Sequence, residues 1–68
     1  MDVKRQLAKN VRKLRIEAGW SQEELAFEAG IHRTYISDIE RGARNPTITV
    51  VERLASTLGV SPWQLLHP

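Results

Sequence analysis

The chain has 68 residues, with ten Lys and Arg against eight Asp and Glu, a formal net charge of +2, a pI of about 9.5 and no cysteine. This length predicts a single domain over 1–68, near the lower size limit for folding without staples, and the lack of cysteine excludes disulfides, a thiolate metal site and a thiol nucleophile. His32 and His67 lack ligand spacing, the apolar runs are too short to cross a membrane, and the basic start has no apolar core of a signal peptide. No metal, cofactor or membrane association is therefore expected, and the expected location is the cytoplasm.

Val3, Leu7, Val11, Leu14 and Ala18 recur at helical spacing, a single apolar stripe that predicts a first helix over 3–18. Asp2 is placed to cap it and Gly19 to end it. Ile16 falls off the stripe and is expected to wedge against a neighbouring element. Lys4, Arg5, Lys9, Arg12, Lys13 and Arg15 crowd this helix. Such a run is either a solvated face or a surface that steers the domain toward phosphate.

The stretch Gln22–Gly42, QEELAFEAGIHRTYISDIERG, reads as two short helices joined by a tight turn. Ser21 and Glu24 form a capping box at its start, and Trp20 and Leu25 stand at the staple positions, which assigns Trp20 to the core. Gly30 lets the chain leave the first of these helices with positive φ. Ile31 follows as an apolar plug. The next helix, about Arg33–Arg41, places Ile36 and Ile39 on its inner face against Leu25 and Ala26. Its outer face carries Arg33, Thr34, Tyr35, Ser37 and Asp38, mostly donors and acceptors at the tip of a helix, as base-edge readout in a DNA groove requires. The alternative is a structural hairpin in any small helical domain. His32 is a mediocre cap, so its position is either a frayed surface start or a face turned to DNA.

Ala43-Arg44-Asn45-Pro46 is a loop, because Pro46 keeps the residue before it out of a helix. Thr47 caps a fourth helix over Ile48–Leu58, whose inner stripe is Ile48, Val51, Leu54, Ala55 and Leu58. Gly59 closes it. Ser61 caps a last short helix with Pro62 at its first position, Gln64 completing a second capping box and Val60 and Leu65 as its staple. No segment shows sustained strand alternation, so the expectation is a compact, all-α, five-helix fold.

From about residue 7 to 66 the sequence resembles the Cro/C1-type (XRE-like) helix-turn-helix family, through SQEELA, YISDIERG, RNP and LGVSPWQLL taken together. The resemblance implies a lambda-repressor-like domain whose helix-turn-helix, about 22–42, binds double-stranded DNA through the major groove. It places Arg33 and Thr34 at base-contacting positions, Arg33 suited to guanine O6 and N7. Tyr35 and Ser37 stand beside them within reach of bases or backbone. It assigns phosphate contacts to Ser21 and Gln22 at the start of the second helix and to Arg41, Arg44 and Asn45 around the following loop. Asp38 is repelled by DNA unless it accepts from cytosine or orients Arg33. Arg15 and Glu40 match a pair that forms a structural salt bridge. The run RTYIS with IER and RN also resembles the small controller proteins of restriction–modification systems.

Family members usually bind two half-sites as symmetric homodimers, about one helical turn apart. Val50, Trp63 and Leu66 are the candidate dimer surface, although Trp63 and Leu66 equally fit as a cover for the domain's own core. A regulator of this kind blocks RNA polymerase or contacts it when bound upstream. A different class of function, a protein-interaction module of antitoxin or anti-repressor type, would favour an acidic or apolar outer face on the third helix. Arg33, Thr34, Arg41 and Arg44 point the other way. For an enzyme there is no nucleophile–base pair, metal cluster or phosphate loop in the sequence.

Overall fold

The first helix starts where Asp2 accepts the amides of Lys4 and Arg5, at 3.1 and 3.3 Å. The computed structural model, which describes residues 2–68, continues from there as five helices in chain order. These are α1 Val3–Glu17, α2 Gln22–Ala29, α3 Arg33–Glu40, α4 Ile48–Leu58 and α5 Pro62–Leu66, with no strand among the described residues. The all-α, five-helix expectation is met. None of these helices is long and apolar enough to cross a membrane.

The helix ends follow the local chemistry. Ser21 Oγ accepts the Glu24 amide at 3.0 Å, while the Ser21 amide donates to Glu24 at 2.9 Å. Thr47 Oγ1 accepts the Val50 amide at 3.2 Å, and Gln64 Oε1 accepts the Ser61 amide at 2.8 Å. Gly30 ends α2 at φ +67°, where its amide reaches Phe27 and the Ile31 amide returns to Ala26. That closure satisfies carbonyls that a helix end leaves free and turns the chain sharply into α3. His32 caps α3 without a side-chain hydrogen bond, consistent with its poor capping chemistry.

One core joins all five helices. Leu7 and Val11 from α1, Leu25, Ala26 and Ala29 from α2, Ile36 and Ile39 from α3, Val51, Leu54 and Ala55 from α4 and Leu65 from α5 are buried in a single cluster. Burying a leucine or isoleucine fully contributes about 1.5–3 kcal/mol, so this cluster holds the hairpin of α2 and α3 in place. Trp20 is half-buried against it, as its staple position requires, and so are Ile31, Tyr35 and Val60.

The apolar stripes end short of their expected limits. Ile48 is 80% exposed rather than on the inner stripe of α4. It is the first residue of that helix, and side chains lean toward a helix's N-terminus, here past the edge of the core. Ile16 is 57% exposed, on the side of α1 opposite Leu7 and Val11, where it lines a groove with Glu40, Arg41 and Gly42 at the end of α3. The ends of the α1 stripe, Val3 and Ala18, are exposed too, while Ala8 beside it is buried.

Candidate nucleic-acid interface

Ile36 and Ile39 are sunk in the core and fix the rotation of α3 about its axis. The opposite face is thereby presented to solvent. Arg33 and Thr34 are exposed in its first turn, and Tyr35, Ser37 and Asp38 are half-buried beside them. The start of α2 lies alongside the start of α3, where Arg15, Ser21, Gln22, Glu23 and Arg33 border a shallow hollow. Ser21, Gln22 and Arg33 thus share one side of the molecule, Thr34 is exposed next to Arg33 in the same turn, and Arg41, Arg44 and Asn45 are exposed at the far end of α3 and in the loop after it.

Arg15 and Glu40 hold these elements together. Arg15 Nε donates to Glu40 Oε2 at 2.7 Å and its Nη2 to Glu40 Oε1 at 3.0 Å, and Nη1 donates to the Trp20 carbonyl at 2.8 Å. The two side chains are 13% and 5% exposed. The hydrogen bond to Glu40 raises the Arg15 pKa above its already high value, against the opposing effect of burial. Gln22 Nε2 donates to the same Glu40 at 3.1 Å. One carboxylate therefore joins the end of α1, the start of α2 and the end of α3, and it orients Gln22 while leaving that amide a second N–H.

Asp38 has a role that differs from both contacts considered for it. It neither faces Arg33 nor stands free for cytosine. One of its oxygens accepts from Arg41 and the other from Arg44, at 3.1 Å for the latter. The Arg44 guanidinium also lies over the Tyr35 ring, 4.3 Å from its centroid, in cation–π geometry. Hydrogen bonds from Arg44 and Arg41 hold the Asp38 carboxyl below the usual carboxylate range. Tyr35, Asp38, Arg41 and Arg44 form one cluster that gathers two cations at the end of α3.

Of the residues considered for a dimer surface, Val50 and Leu66 are half-buried against the core and Trp63 is 62% exposed, with its ring edge-to-face on His67 at 5.2 Å. Exposed Val3 and Ile48 border a groove with Leu66, an apolar patch that the stripe reading had hidden. Phe27, 81% exposed among Glu23, Glu24 and Glu28, was also missed. So were two long-range ties. Asn10 Nδ2 donates to the carbonyls of Leu65 and His67, both at 2.8 Å, and Arg53 donates to the Gly30 carbonyl at 3.3 Å. Only the three-dimensional neighbourhood reveals these ties. Among the described residues no group of three acidic or histidine side chains is arranged to hold a metal.

Comparison with known proteins gives the same arrangement a context. The sequence model of the helix-turn-helix family matches residues 11–62. A hypothetical transcription factor of Neisseria meningitidis is 46% identical over 67 residues, covering 98% of this chain, which spans 63% of that protein. Control protein C.BamHI of Bacillus amyloliquefaciens is 53% identical over 57 residues, 82% of this chain and 70% of that one. The crystal structure of the Neisseria protein superposes with a TM-score of 0.94 at 45% identity, covering 97% of this chain and 76% of that one. The restriction-modification controller protein C.Esp1396I, crystallised as a tetramer with its natural 35 base-pair operator, superposes with a TM-score of 0.83 at 38% identity, covering 93% and 83%.

Proposed function

Because this chain belongs to the helix-turn-helix family, we propose that it is a sequence-specific DNA-binding regulator of transcription with no enzymatic activity of its own. Residues 1–68 act as one binding unit that places α3 in the major groove. Arg33 and Thr34 contact bases, Arg33 as a fork onto guanine, and Tyr35 and Ser37 complete the reading face. Ser21 and Gln22 meet one phosphate strand at the start of α2, where free amides and the helix dipole favour an anion. Arg41, Arg44 and Asn45 meet the other strand. Arg15 and Glu40 stay with the protein and keep the two contact regions in register.

The observation that carries this reading is the rotation of α3, with Ile36 and Ile39 locked inward and Arg33 and Thr34 exposed at its first turn. Two copies bind a palindromic operator, joined through a surface that includes Val50, Trp63 and Leu66. The identity with C.BamHI supports the narrower reading of a restriction–modification controller. Such a protein works in the cytoplasm by excluding RNA polymerase from a promoter or by touching it from an upstream site.

Selection of bound sequences from random duplex DNA by the purified protein tests the proposal. The expected result is a palindrome with fixed half-site spacing. No enrichment, in low salt and at concentrations where the protein is dimeric, would replace it with the protein-partner reading.

A further inference from the structure

Six of the ten Lys and Arg residues lie on α1, and one of them, Arg15, is committed to Glu40. The role proposed above uses none of the other five. Four of those five, Arg5, Lys9, Arg12 and Lys13, line a groove of about 690 Å³ together with Arg41 and Gly42 at the end of α3. All four are exposed, and none of them takes part in an ion pair among the described residues. Two acids border the groove, and both are already engaged. Asp2 accepts two amides at the start of α1. Glu40 is held by Arg15 and Gln22. Nothing on the walls of this groove competes for the four α1 cations.

Their spacing fits an extended anion. From Arg5 to Lys13 is eight residues, about 12 Å along a helix axis at 1.5 Å per residue. A strand of duplex DNA advances about 3.4 Å per nucleotide along the duplex axis while winding around it, so the row spans a short run of successive phosphates. Arg41 belongs both to the groove and to the Asp38 cluster, so the groove is continuous with the end of the helix assigned to base reading.

We infer that the α1 groove, through Arg5, Lys9, Arg12 and Lys13, is a second phosphate-binding surface that holds the backbone of the same DNA duplex just outside the base pairs read by α3. The inference rests on the DNA-binding reading and adds to it. It gives the protein an affinity for flanking DNA that is independent of sequence, and a footprint wider than its recognition site.

The test compares wild type with the double variant Lys9→Gln, Arg12→Gln, and with Lys4→Gln as a charge change on α1 outside the groove. Each is titrated with the selected site in a duplex that ends at its half-sites, and in one extended by about one helical turn at each end. For wild type and for Lys4→Gln, extension raises the affinity and steepens the salt dependence. For the double variant both gains are lost, and on the extended duplex its slope of log K against log salt is shallower by about 1.8, from about 0.9 for each of two lost phosphate contacts. Equal gains on extension in wild type and double variant would overturn the groove and leave the recognition helix untouched. Failure of wild type on both duplexes would instead overturn the DNA-binding reading itself.

Discussion

Arg15 and Glu40 are each nearly out of solvent, and each is the partner that makes the other's burial tolerable. Removing one member of such a pair strands the remaining charge, at about 3–5 kcal/mol. Arg15→Ala is therefore expected to lower stability by about that amount in thermal or denaturant melts, and an unchanged melt would contradict the assignment. Asp38 is a different case, since Arg41 and Arg44 are exposed and solvent screens the pairs. Its pKa is depressed in the folded protein. The stability it contributes is thus complete above the ordinary carboxylate range and lost as pH falls through the depressed value. Melting temperature followed from neutral to acid pH is expected to fall more for wild type than for Asp38→Asn. Parallel acid limbs would show that the cluster contributes nothing.

The turn between α2 and α3 depends on Gly30, whose φ of +67° suits glycine. An added Cβ there meets no atom within 4 Å, so the cost of Gly30→Ala is conformational rather than steric. A left-handed non-glycine residue costs roughly 1–2 kcal/mol, and chemical denaturation of Gly30→Ala is expected to show that loss. A loss near zero would mean that the turn relaxes. At this scale the sequence was most legible, because caps and stops are local. Ser21 with Glu24, Thr47 and Gly30 each act on neighbours within a few residues, and α2, α4 and α5 have the limits those signals imply. The stripes were legible in their middles and misleading at their ends, as Val3, Ala18 and Ile48 show, because periodicity does not say where the core stops. Legibility also failed wherever a contact joined distant elements without apolar pattern. The ties from Asn10 to the end of α5, from Arg53 to Gly30 and from Asp38 to the loop arginine Arg44 are of this kind. The Arg15–Glu40 pair was foreseen only through family resemblance.

The described molecule measures 29 × 22 × 20 Å, shorter than the roughly 34–36 Å between half-sites one helical turn apart. On the proposed reading, with α3 as the one reading helix, a palindrome requires a second copy. Trp63 is the most exposed member of the surface proposed for that contact. Trp63→Ala is expected to raise the dimer dissociation constant about tenfold or more, a loss of about 1.4 kcal/mol, in sedimentation equilibrium. An unchanged constant would remove Trp63 from the interface. Whether α3 reads bases through Arg33 is decided by the affinities of wild type and Arg33→Ala for the selected operator and for a scrambled duplex at one salt concentration. Arg33→Ala is expected to lose about 1–3 kcal/mol on the operator, with relaxed preference at one base position, and much less on the scrambled duplex. Equal losses on both would mean that Arg33 contributes charge alone and that the bases are read elsewhere.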